Sequence, residues 1–73
     1  MNESEMLRVQ RYLRDTFGNR NIRLLDRNLT DGSVEVLLGE ELIGVIYRDE
    51  EDGEVSYDFN MSILEFDLPP AGD

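Results

Sequence analysis

Four residue types are missing from this chain: it has no cysteine, histidine, lysine or tryptophan. Each absence removes chemistry. Without cysteine there is no disulfide, no thiolate nucleophile and no thiolate zinc site. Without histidine no side chain titrates unaided near neutral pH for acid–base work. Without lysine there is neither a Schiff base nor an ammonium group for a phosphate. No glycine-rich phosphate loop is present, and no apolar run approaches the roughly 18 residues that read as a membrane span. The start, Met1-Asn2-Glu3-Ser4-Glu5, is the reverse of the basic, then apolar, lead of a signal peptide. Two carboxylates could in principle serve glycoside chemistry, but 73 residues offer little concavity in which to desolvate them. These absences predict a cytoplasmic chain that is not an enzyme and holds no cofactor and no metal.

What is present is acid, unevenly placed. Residues 1–30 carry six arginines and four acids, a net of +2, and residues 31–73 carry one arginine and thirteen acids, a net of −12, giving the overall −10. Such a balance repels nucleic acid and anionic membranes and sets the folded chain against itself. A domain of this size buries only about 60% of the surface its unfolded form exposes, so a single small core is expected.

Residues from about Glu3 to Phe17 read as a helix. Asn2 can cap it, with Glu5 three residues on, and Ser4 is a rival cap; Gly18 followed by Asn19 is a left-handed stop. Met6, Val9, Leu13 and Phe17 fall in one stripe, widened by Tyr12 and Thr16, while Arg8, Arg11 and Arg14 fall opposite. Arg11–Asp15 and Glu5–Arg8 have the spacing of helical ion pairs.

Four strands follow: about 21–27, 33–38, 41–48 and a fourth from Glu54. Val55, Tyr57, Phe59, Met61 and Ile63 alternate strictly with polar residues. Gly39-Glu40 suits a two-residue turn that places Leu38 opposite Glu41, Val36 opposite Ile43 and Val34 opposite Val45. In that register a tight Asp52-Gly53 turn would send Ile43, Val45 and Tyr47 to the face opposite Tyr57 and Phe59. A loop of odd length keeps both sets together and is therefore expected. For the first hairpin, a tight Asp31-Gly32 turn and a three-residue loop give opposite registers, and the pattern does not choose. After Ile63 the alternation changes phase, with Leu64, Phe66 and Leu68 apolar, and Pro69-Pro70 ends regular structure. The reading is one α+β domain over residues 1–68, an N-terminal helix packed on a four-stranded antiparallel meander sheet, with a disordered tail at 69–73.

The run Tyr12–Leu24, YLRDTFGNRNIRL, and the stretch Leu42–Leu68, above all YRDEEDGEVSYDFNMSIL at 47–64, resemble a small alphaproteobacterial family known only as domain-of-unknown-function 3126. The resemblance implies a short, stand-alone, cytoplasmic bacterial domain without assigned activity, and it carries over no functional residue.

Three features invite a function. The acidic turn Asp49–Glu54 suggests a divalent-cation site, but adjacent carboxylates at a hairpin tip diverge, and an EF-hand loop with Gly53 sixth would place Arg48 first. Arg8, Arg11 and Arg14 form a basic ridge able to dock an acidic partner or the acidic half of a second copy. Leu37, Leu42 and Ile46, expected on the sheet face away from the helix, together with Leu64, Phe66 and Leu68, form a candidate interface. The leading expectation is a protein-interaction module that meets a protein partner or a second copy as a dimer through that face or the C-terminal strand, with no nucleic acid and no membrane involved. The alternatives are an acidic mimic of nucleic acid that binds a basic protein, and a weak cation site at the turn.

Overall fold

The computed structural model describes residues 1–72; Asp73, the end of the expected tail, lies outside them. Helix α1 spans Glu3–Phe17. The Asn2 side chain accepts the Glu5 N–H at 2.8 Å, and the Glu5 carboxylate accepts the Asn2 N–H at 3.2 Å. This reciprocal pair satisfies two of the donors that a helix start leaves free. Gly18, at φ +60°, closes the other end as expected, its N–H donating to the Arg14 carbonyl. The left-handed stop turns the chain back, so Asp15 pairs with Arg20 at 2.9 Å rather than with Arg11.

The sheet is an antiparallel meander in the order β1-β2-β3-β4, with β1 at Ile22–Leu25, β2 at Val34–Leu38, β3 at Glu41–Glu51 and β4 at Glu54–Asn60. The expected α+β architecture of one helix and a four-stranded antiparallel sheet is therefore the observed one. Gly39-Glu40 makes the expected two-residue turn, with Gly39 at φ +64° and Leu38 opposite Glu41. The first hairpin takes neither tight form. Its strands pair Leu25 with Glu35 and are joined by a loop of residues 26–33. That loop is organised by Asp side chains: Asp26 accepts the Asn28 N–H, and Asp31 accepts both the N–H and the hydroxyl of buried Ser33.

Two registers differ from expectation, and the differences compensate. The β3–β4 turn is the tight Asp52-Gly53 form, with Glu51 opposite Glu54 and both turn residues at positive φ, the geometry that matches strand twist. The extra residue that the apolar pattern demands lies instead within β3. Leu37 faces Leu42 but Val36 faces Gly44, so Ile43 and Gly44 together oppose Val36 in a β-bulge. Beyond the bulge every β3 side chain changes face. Val45 and Tyr47, expected beside the valines, turn to the second face. Ile46, expected on the second face, joins the core at 1% exposure. Leu13, Ile22, Val36 and Ile46 form the core cluster, with Val9, Leu24, Ile43, Tyr57 and Phe59 packed against it.

Only glycine fits at position 44. A Cβ there would lie 2.4 Å from the Asn60 carbonyl oxygen and 2.6 Å from Cε1 of Phe59. The bulge therefore brings β4 and the Phe59 ring directly over the Gly44 backbone.

α1 lies over β1 rather than over the middle of the sheet. Gln10 and Arg14, one turn apart, reach the strand's free edge: the Leu24 N–H donates to Gln10 Oε1 at 3.0 Å, and Arg14 Nε donates to the Ile22 carbonyl at 2.7 Å. One sheet edge is thus closed by helix side chains, which removes a template for unwanted strand pairing. At the other edge β4 has no neighbour beyond it among the described residues.

β3 outruns β2. Pairing with β2 stops at Ile46, so residues 47–51 and 54–58 project as a two-stranded ribbon. The chain accordingly measures 46 × 24 × 23 Å with a radius of gyration of 14.0 Å, against about 11 Å for a compact chain of this length. The ribbon is held at its base from both faces. On one face Glu5 accepts from Arg48 Nε at 2.8 Å and from the Tyr57 hydroxyl at 2.5 Å; on the other the Tyr47 hydroxyl donates to Asp31 at 3.3 Å.

Candidate interaction surface

A helix is about 10 Å across, whereas the outer strands of a four-stranded sheet stand about 14 Å apart. One helix seated over β1 cannot cover β4. The uncovered strip is a groove of about 520 Å³ between α1 and β4, lined by Glu5, Arg8, Val9, Tyr12, Leu13, Ile46, Tyr57 and Phe59. Its floor is apolar. Tyr12, expected to widen the buried stripe of the helix, is 67% exposed on the groove wall, and Phe17 is also exposed. One end of the groove is closed by Glu5. The hydrogen bond from Tyr57, then those from Arg48 and the Asn2 backbone, hold its carboxyl at about 2, below the ordinary 4.5. Its bond to Tyr57 in turn pushes the tyrosine hydroxyl upward. The bonds from Arg48 and Tyr57 to this one carboxylate tie the start of the helix to the base of the ribbon.

The three arginines of the expected ridge do not share a role. Arg14 is turned inward to the Ile22 carbonyl, Arg8 stands at the groove lip, and Arg11 lies on the outer face. Glu5, expected to pair with Arg8, is taken by Arg48. Among the described residues Arg8 and Arg11 are the only two arginines with neither an ion pair nor a side-chain hydrogen bond.

The candidate interface separates as well. Ile46 lies on the helix side of the sheet at the floor of the groove, 1% exposed, and is not part of the second face. Leu37 does lie on the second face, between Arg23 and Leu42 across the ladder, but is only 6% exposed. Leu42 is exposed there, and with Val45, Tyr47, Asn60, Ser62 and Leu64 it borders a shallow concavity. The C-terminal residues are the most open. β4 ends at Asn60, so the phase change at Ile63–Leu64 falls outside the ladder. Glu65–Asp67 form one short 3-10 turn that packs on no other helix or strand among the described residues. Ile63, Leu64 and Leu68 are half or more exposed, and Phe66 is 83% exposed.

At the hairpin tip Asp49, Glu51 and Glu54 share one side of the ribbon with Ser56. Among the described residues no three carboxylates converge as a cation site requires. No described helix is long and apolar enough to cross a membrane.

Sequence reasoning missed the groove residues Val9, Tyr12, Tyr57 and Phe59 as a surface. The signal was available in the element count, since one helix facing four strands leaves a strip uncovered. No curated protein and no solved structure matches the chain. A family model does match, over residues 5–67, and the chain belongs to that family, described as Protein of unknown function (DUF3126).

Proposed function

We propose that this domain is a non-enzymatic protein-interaction module that associates with a second copy of itself. The observation that carries the reading is the run Met61–Leu68. Five large apolar side chains, Met61, Ile63, Leu64, Phe66 and Leu68, are each at least half exposed within eight residues. Large apolar side chains exposed together in one short segment suit an interface, and a small core makes association energetically useful. The lack of histidine, cysteine and lysine, and the commitment of Glu5 as an acceptor, support a binding role over catalysis. The same composition supports a cytoplasmic setting. Sedimentation equilibrium from micromolar to near-millimolar chain tests the reading: a concentration-dependent dimer is expected, and a strict monomer throughout that range refutes it.

A second reading is favoured by the projecting ribbon, whose tip carries Asp49, Glu50, Glu51, Asp52 and Glu54 clear of β2. Such a tip suits a basic groove on a nucleic-acid-binding protein. Binding of that kind would weaken steeply with salt and vanish on neutralising the tip, whereas association through apolar residues would not.

A further inference from the structure

Resting on the self-association proposed above, we infer where the C-terminal segment goes: Leu64–Leu68 of one copy occupies the groove between α1 and β4 of the other, and the exchange is reciprocal. The segment and the groove match in pattern. Leu64, Phe66 and Leu68 alternate with Glu65 and Asp67, and the groove has an apolar floor of Val9, Leu13, Ile46 and Phe59 with Arg8 at its lip. Charge agrees with that pattern. Arg8 has no carboxylate partner in its own chain among the described residues, although the chain holds seventeen acids against seven arginines. The one acid of the groove, Glu5, is already neutralised by Arg48.

Length agrees as well. From Glu5 to Leu13 the helix rises about 12 Å, and the four steps from Leu64 to Leu68 span roughly 8 Å as a 3-10 turn to 13 Å extended. The occupant is a second copy because the chain's own segment departs from the wrong side. Ser62 and Leu64 border Leu42, Val45 and Tyr47 on the second sheet face, whereas the groove is on the helix face. A two-fold arrangement buries two segments and two grooves at once. A standard interface takes about 800 Å² per partner, roughly a seventh of the 5846 Å² that the chain exposes.

The test is a charge swap read by sedimentation equilibrium, with circular dichroism confirming that each variant folds. Arg8→Glu alone, and Glu65→Arg with Asp67→Arg, are each expected to raise the dimer dissociation constant about tenfold, because each exposed pair is lost and opposed twice in a two-fold dimer. Combining the three substitutions should restore most of the loss. Phe66→Ser, at a side chain that is 83% exposed, should leave a folded monomer. A dimer that is unchanged by Phe66→Ser, or a combined variant no tighter than its parents, overturns the groove as the receptor while leaving self-association standing. A wild-type chain that is monomeric throughout overturns both.

Discussion

Gly44 is the position at which the registers of two hairpins meet, and Gly44→Ala tests whether the bulge is built as described. The added Cβ would sit 2.4 Å from the Asn60 carbonyl oxygen and 2.6 Å from Phe59 Cε1. The first atom is backbone of a paired strand and cannot rotate away, since Asn60 is held opposite Val45. The second belongs to a ring packed against the core. Overpacking of this kind costs about 1–3 kcal/mol, while replacing glycine returns about 0.4–1 kcal/mol through the unfolded chain. The net is a loss of roughly 1.5 kcal/mol, which at about 4–8 °C per kcal/mol for a domain this size lowers Tm by about 6–12 °C. Thermal and urea unfolding followed by circular dichroism read the change. Chain concentration is held constant, because association makes Tm concentration-dependent. Adding Phe59→Leu should recover only part of the alanine penalty: it removes the ring contact and leaves the carbonyl, so the double-mutant cycle shows a coupling smaller than the penalty itself. A Gly44→Ala variant with unchanged or raised Tm would refute the close approach and with it the bulge.

Further outcomes follow from the anchors of the fold. Glu5 binds fewer protons folded than unfolded between its ordinary 4.5 and about 2, so its contribution is full above about pH 4.5 and is lost as pH falls toward 2. Glu5→Gln should flatten the acid limb of the stability curve across that window, and acid limbs of equal slope in the two proteins would contradict it. Gln10→Ala removes the acceptor of the Leu24 N–H; a loss of about 1 kcal/mol and faster exchange of that amide are expected, and an unchanged exchange rate would dispose of the edge cap. Ile46→Ala should cost about 2–5 kcal/mol by leaving a core cavity. The loss is read first in unfolding, and a near-neutral effect in urea would take Ile46 out of the core. With a net charge of −10, moderate salt should raise Tm by screening self-repulsion, and a steady fall from low to moderate salt would count against that balance.

The closed β1 edge and the open β4 side give the molecule its polarity. Gln10 and Arg14 satisfy β1 and in doing so draw the helix off the sheet's centre. The groove is the consequence, and it borders the strand that leads into the exposed C-terminal run. Stability at one edge and availability at the other are set by the same lateral position of α1.

Local chemistry was enough for the sequence to determine the capped helix from Asn2 to Gly18, the Gly39 turn, the order of four antiparallel strands and the apolar face of β4. Each rests on neighbours in the chain: a side chain bonding an N–H three residues on, a glycine at positive φ, an alternation of period two. Sequence also required one extra residue between Val36 and Phe59, because the two apolar sets are out of step by one. It did not determine where, since a loop of odd length at Asp52-Gly53 and a bulge at Ile43-Gly44 restore the same parity. The tertiary structure decided for the bulge. Asp52-Gly53 closes a tight turn whose twist suits the strands, and Gly44 alone can lie beneath Phe59 and the Asn60 carbonyl. That choice moved Ile46 from the open face into the core and exchanged the faces of Val45 and Tyr47. The roles of Arg8 and Arg14 were likewise out of reach of the pattern: identical residues on one helix, they part because one faces the unpaired edge of β1 and the other the strip that a single helix leaves uncovered.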